Sequence, residues 1–221
     1  WSQMTLPWEG TKLTLVGMDM TEEIVIHKGR IARKDTDFIW GDFIDESICD
    51  GLLHFWRYQQ LLNPHEGQVY QGGEIVVDRD YKESIDLHVP SGLALPEIQN
   101  YLSGLQMVLD KYIERFPFCE TSRFSIQENL SLQCYPPGGG FKQWHTERTN
   151  CWPGNAFRHL VFMTYLNDCP GGGTEWYHQD KYCDAKKGYT VIWPADWTHH
   201  HRGVVSEDHE KMIITGWFSF H

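Results

Sequence analysis

Two residues of the motif His145-Thr146-Glu147 carry chemistry that their neighbours do not. In an extended chain positions i and i+2 point to the same face. His145 and Glu147 would then present an imidazole and a carboxylate side by side. A further donor is offered downstream by His199-His200-His201. Two adjacent ligands and one distant histidine make the facial triad of non-haem Fe(II), which leaves coordination positions open for reactants. His199 and His201 share a face if the run is extended, and His200 opposes them. Taken singly, a His-x-Glu is usually a surface pair and a histidine run a solvated loop. Strands on either side of the run, Val191–Trp193 and Met212–Phe218, are what would return a ligand towards the first motif. Lys211 opens the second of these strands. Pointing inward, its ammonium needs an anion, because an unpaired buried charge is costly. A dicarboxylate would supply one; at an exposed strand start none is needed.

The elements that must position these groups follow from hydrophobic periodicity. Ile44, Ile48, Leu52, Phe55 and Leu62 form a helical stripe that Asn63-Pro64 stops. Ile98, Leu102, Leu105, Leu109, Tyr112 and Phe116 form a second stripe, with Pro96 in its first turn and Pro117 beyond its end. Before them, Lys12–Val16, Glu23–His27 and Phe38–Phe43 read as short strands. After residue 120 come four strands, Phe124–Tyr135, Arg158–Asn167, Gly188–Trp193 and Lys211–Phe220, separated by Gly/Pro loops. Helices followed by closely spaced strands predict an α+β fold, with an antiparallel sandwich or jelly roll stacked on two helices. The glycine-bearing stretch Asn63–Leu95 reads either as a lid or as a surface excursion.

With 221 residues, the chain is long enough to bury about 70% of its surface in one core. A single domain is expected over 1–221: N-terminal strands and supporting helices in 1–120, and a jelly-roll core in 121–221. The net charge is −11, from 19 Lys+Arg against 30 Asp+Glu, with no basic cluster. That argues against nucleic acid or an anionic membrane as partner. No apolar run reaches a membrane span. Six cysteines without a Cys-x-x-Cys pair read as reduced thiols in a cytoplasmic, soluble protein. The sequon Asn129-Leu130-Ser131 falls in an expected strand and is read as chance.

In order and at spacing, these segments resemble the Fe(II)/2-oxoglutarate-dependent dioxygenases, prolyl 4-hydroxylase-like branch. The resemblance covers 124–220, and more loosely 38–116. It rests on Cys134-Tyr135-Pro136 ahead of His145, and on Arg158 through Tyr165-Leu166-Asn167. It continues through Gly172-Gly173-Thr174-Glu175, Lys187-Gly188 with Ile192-Trp193-Pro194, and His201-Arg202-Gly203 followed by Lys211. It implies a double-stranded β-helix (jelly roll) core with N-terminal supporting helices. It implies Fe(II) held by His145, Glu147 and His201, with O2 and 2-oxoglutarate as cosubstrates. The interval to Lys211 favours His201 over His199. Lys211 would pair with the distal carboxylate of 2-oxoglutarate, Tyr165 would add a hydroxyl, and Tyr135, Thr215 and Trp217 would line that pocket. Arg158 would face substrate. The implied reaction is hydroxylation of a C–H bond, foremost of a prolyl residue in a peptide or protein. The same chemistry on a free amino acid or other small molecule is the alternative, and a non-catalytic jelly-roll interaction module a further one. One departure stands out: the family places Asp where this chain has Glu147, and the extra methylene must be accommodated. A halogenase, which replaces the acid with a small residue, is disfavoured.

Overall fold

The computed structural model describes residues 11–13, 24–27, 30–32, 37–58, 63–71, 73–149 and 154–221. Two compact units divide at residue 38. In the first, strands β1 (Thr11–Leu13), β2 (Ile24–His27) and β3 (Arg30–Ala32) form an antiparallel sheet in that order. Residues 14–16, Glu23 and Leu62 of the expected elements lie outside the described residues.

The second unit begins with β4 (Trp40–Phe43) and α1 (Glu46–Tyr58). Short strands follow: β5 (His65–Glu66), β6 (Val69–Gln71), β7 (Glu74–Val76), β8 (Lys82–Glu83) and β9 (Ile85–Val89). After α2 (Pro96–Arg115) come β10 (Phe124–Ile126), β11 (Leu130–Tyr135), β12 (Gly140–Phe141), β13 (Arg158–Tyr165) and β14 (Cys169–Trp176). The chain ends with β15 (Lys181–Ala185), β16 (Tyr189–Pro194), β17 (His201–Gly203) and β18 (Lys211–Phe220). The large sheet runs β4-β16-β13-β18-β11-β9-β5, with β10 also on β18, and every pairing is antiparallel. A small sheet runs β15-β14-β17.

Period-2 alternation assigns the two faces of the large sheet. Leu160 and Phe162 on β13, with Met212, Ile214 and Phe218 on β18, join the helices in one apolar cluster. Val161, Met163 and Tyr165, with Ile213, join Trp176 and Ala185 of the small sheet in a second cluster. Each fully buried large side chain contributes about 1.5–3 kcal/mol. Within α2 the buried stripe shifts from the one expected. Tyr101 and Val108 are buried while Leu102 is only partly so. Tyr101 sinks because its hydroxyl has partners beneath the helix, Thr164 Oγ1 at 3.2 Å and through it Thr190 Oγ1 at 2.7 Å.

Two expectations need correction. Phe124–Tyr135 is not one strand: it breaks between β10 and β11, and Glu128 sits in the break. Asn63–Leu95 is not one loop: β5 and β9 join the large sheet, β8 pairs with β12, and β6 and β7 form a hairpin of their own.

Gly216 stands opposite Phe162 in the β13–β18 ladder. A Cβ there would lie 2.5 Å from Phe162 Cζ, and that ring is fully buried. Gly216→Ala is therefore expected to cost about 1–3 kcal/mol by overpacking. Urea unfolding should show a lower midpoint at unchanged slope, and Phe162→Leu in the same chain should restore part of the loss. Additive losses in the double variant would contradict the clash.

Candidate active site

A single antiparallel bridge assembles the site. The His145 N–H donates to the His201 carbonyl and the His201 N–H to the His145 carbonyl, each at 3.0 Å. The extended stretch expected through Glu147 is absent, because beyond His145 the chain leaves the ladder. The Thr146 hydroxyl and the Arg148 N–H both donate to the Ala195 carbonyl, at 2.9 and 2.8 Å. These anchors, rather than a pleat, return Glu147 to the side of His145.

There the ligand atoms of His145, Glu147 and His201 all lie within 4.8 Å of one another. Glu147 Oε1 is 3.4 Å from His145 Nε2 and 3.5 Å from His201 Nε2. Both separations exceed ordinary N–H···O hydrogen bonds. They approach the spacing of donors that share an ion at about 2.1 Å each. The far side of each ring fixes its tautomer. His145 Nδ1 faces the Gln143 carbonyl at 3.0 Å and His201 Nδ1 the His199 carbonyl at 2.9 Å. A carbonyl only accepts, so each Nδ1 donates, and each neutral Nε2 keeps its lone pair towards the trio. The donor set therefore fits a divalent iron. Phe141 stacks on His145 at 3.6 Å, and Trp193 meets His201 edge-on at 4.9 Å.

Of the histidine run, only His201 joins the trio. His199 is buried with Nδ1 against Thr198 Oγ1, and His200 turns its Nδ1 to the Trp197 carbonyl.

The trio opens into a cavity of about 540 Å³ between the sheets. Lys211, Ile213, Thr215 and Trp217 all line it, as do Tyr135, Tyr165 and Arg158. Lys211 Nζ donates to the carbonyls of Gly172 and Val204 at 2.7 and 2.9 Å, and lies 5.3 Å from the Tyr135 ring centroid. A neutral amine has two N–H groups, which these carbonyls consume; an ammonium has a third to offer a ligand. The Tyr165 hydroxyl meets Thr174 Oγ1 at 2.7 Å, and the Tyr135 hydroxyl donates to Gln133 Oε1 at 2.5 Å. Arg158 forks onto Glu128 at 2.9 and 2.6 Å and reaches Glu147 Oε2 at 3.3 Å.

Sequence reasoning missed one wall of this cavity. Lys82 and Asp86 form a buried ion pair at 2.5 Å, and the Ser84 hydroxyl donates to the same carboxylate at 2.7 Å. The polar alternation Lys82-x-Ser84-x-Asp86-x-His88 was the available signal of an inward strand face.

Burial drives the electrostatics. It pushes the Glu147 carboxyl up, but His145, His201 and Arg158 outweigh it and hold the group well below the usual carboxylate range. Burial, aided by His145, lowers His201 despite Glu147. It also pushes the Lys211 ammonium down to about 8.

Residues 130–219 match the model of the 2OG-Fe(II) oxygenase superfamily. The trio, Tyr135, Tyr165 and Lys211 all fall within that span. Over that stretch the chain carries a 2OG-Fe(II) oxygenase domain. It is a 2-oxoglutarate/Fe(II)-dependent dioxygenase, and it works with Fe(II), 2-oxoglutarate and O2. No curated protein matches the chain. Among solved structures, a prolyl-4-hydroxylase from Pseudomonas putida matches with TM-score 0.60 and 18% identity, over 84% of this chain and 94% of that one. A prolyl hydroxylase from Trichoplax adhaerens, solved with a hypoxia inducible factor peptide fragment, matches with TM-score 0.64 and 19% identity, over 84% and 85%. A viral collagen prolyl hydroxylase from Paramecium Bursaria Chlorella virus-1, solved with 2OG, matches with TM-score 0.58 and 16% identity, over 85% and 98%. At these identities the likeness is one of fold: the oxygenase has the expected double-stranded β-helix on two helices. No helix among the described residues is long and apolar enough to cross a membrane.

The depressed Lys211 value makes the oxygenase's stability depend on pH in a defined window. Between about 8 and 10.5 the unfolded chain binds more protons than the folded one, so stability rises with pH there. Relative to Lys211→Met, the wild type is expected to gain up to roughly 1.4 kcal/mol per pH unit across that window. Urea unfolding of both proteins in the absence of ligand measures it, and a difference that does not change with pH would refute the buried ammonium.

Proposed function

We propose that the protein hydroxylates a prolyl residue in a peptide or protein, with His145, Glu147 and His201 holding Fe(II) and Lys211 holding 2-oxoglutarate. One observation carries this reading. The Nε2/Nε2/Oε1 trio and the spare N–H of Lys211 open into the same cavity. Iron bound with 2-oxoglutarate and O2 supplies the chemistry that oxidises a C–H bond; the protein supplies position and a dry site.

The side chains divide the remaining work. Lys211 gives the distal carboxylate a charge-assisted hydrogen bond, and the Tyr165 hydroxyl adds a second donor. Tyr135 walls the same end, with its hydroxyl turned to Gln133. Thr215 contributes its methyl group, because its hydroxyl is spent on the Phe162 carbonyl at 2.8 Å. Trp217 closes the pocket towards Glu147. Arg158 faces the cavity, yet Glu128 and Glu147 occupy most of its fork and leave little of it for a substrate. Catalysis is placed in 121–221, with the helices of 39–120 as support.

The peptide substrate rests on the neighbours in structure, which are prolyl hydroxylases, one of them solved with a peptide. The acidic net charge of −11 disfavours a nucleic-acid substrate.

Purified protein is expected to bind Fe(II) and to release succinate from 2-oxoglutarate, faster with prolyl peptides that gain one oxygen by mass spectrometry. His145→Ala should lose both metal and turnover. Lys211→Ala should raise the KM for 2-oxoglutarate about tenfold or more, for the loss of roughly 1.5–3 kcal/mol. Wild-type succinate release by His145→Ala would remove the metal assignment, and oxygen gained only by a free amino acid would replace the peptide.

A further inference from the structure

The two oxygens of Glu147 have different surroundings. Oε1 faces both histidines. Oε2 points away from them and accepts two hydrogen bonds, from Trp217 Nε1 at 3.0 Å and Arg158 Nη1 at 3.3 Å. Each donor is itself fixed. The Arg158 guanidinium lies 3.4 Å from the Trp217 ring centroid, and its opposite edge forks onto Glu128. Arg158 Nη1 also reaches the Glu147 backbone carbonyl at 3.2 Å, so side chain and main chain are held together. Arg158 is aimed by an irregularity in the β13–β18 register between Arg158 and Leu160. Glu128 is available because the strand breaks before β11.

A carboxylate can bind a cation through one oxygen or both. Glutamate has one more rotatable bond than aspartate, and a free glutamate beside an ion is able to turn and chelate. Chelation would consume a position that the facial triad must leave open. Here both lone-pair sites of Oε2 are already taken. We propose that Arg158 and Trp217 are positioning residues that confine Glu147 to binding iron through Oε1 alone, and so keep a coordination position open for 2-oxoglutarate. The pair is what lets this chain use glutamate in its triad. This rests on the trio being the iron site.

Co(II) titrated into the full-length protein without O2 tests it, read by visible absorption, which reports the coordination of the ion. 2-oxoglutarate is then titrated into the Co(II)-loaded protein. Arg158→Met and Trp217→Phe are expected to change the Co(II) spectrum and weaken 2-oxoglutarate binding about tenfold, while Co(II) affinity stays within about threefold or rises. Glu128→Gln, which touches no part of the cavity, should shift the spectrum in the same direction by a smaller amount. In a Glu147→Asp background, the three substitutions should leave the spectrum unchanged, because the second oxygen of the shorter acid falls short of the Arg158 and Trp217 donors. Unchanged spectra in the Glu147 background, or loss of Co(II) in step with loss of 2-oxoglutarate, would overturn the positioning role. A wild type that binds no Co(II) would instead overturn the site assignment itself.

Discussion

Two reciprocal backbone hydrogen bonds between His145 and His201 hold the site together. They are made outside any strand that contains His145, where the segment after β12 meets β17 of the small sheet. Because the bonds are between main chains, they fix the spacing of the two Cα atoms from which the imidazoles project. Everything else is arranged around that pair. The carbonyls of Gln143 and His199 hold the rings in one tautomer, Phe141 and Trp193 pack their faces, and Ala195 anchors the return of Glu147. The cost of such an arrangement is polar burial, and the large sheet meets it by alternation. One face is apolar against α1 and α2, while the other carries Lys211, Ser131, Gln133 and Asp86 on adjoining strands.

The residues that act alone were readable from sequence. His145 was marked by its type and its neighbour Glu147, Lys211 by its type and strand context, and His201, among three adjacent histidines, by the family resemblance, and β18 alternates as its pattern required. Residues that act through partners were not readable. Nothing in the order of the chain says that Glu128 reaches Arg158, because that contact depends on a break in a segment whose β propensity is continuous from Phe124 to Tyr135. Tyr101 was hidden for a similar reason. Its partner Thr164 is remote in sequence, so the helix stripe was centred one position away from the face that packs.

The strand of Ile85–Val89 was hidden by its length and its charges. Five residues with Asp86 and His88 among them look like a polar loop when burial is inferred from composition. The strand is stable inside the sheet because Asp86 is paired with Lys82 and Ser84, which removes most of the penalty for an isolated buried carboxylate. Polarity in this family of elements marks the inside of a cavity as readily as the outside of the molecule.

The same pairing governs the cavity as a whole. Glu147 and Asp86 line it beside Arg158, Lys211 and Lys82, and Glu128 holds the edge of Arg158 that faces away from the cavity. A divalent iron adds two positive charges and the 2-oxoglutarate dianion two negative ones, so the two together leave the cavity's net charge as the side chains set it. Either guest alone leaves two charges uncompensated in a place where water cannot screen them well. Metal and cosubstrate therefore favour one another through the field they share, beyond any bond between them. That balance also explains why residue 147 remains an acid although the chain has lengthened it. A small neutral side chain there would leave Arg158 with only Glu128 as counter-ion and the iron with no anionic ligand from the protein. The extra methylene is a change of reach, which Arg158 and Trp217 accommodate; removal of the charge would leave the cations of the cavity with one carboxylate fewer, and no other described residue completes the trio.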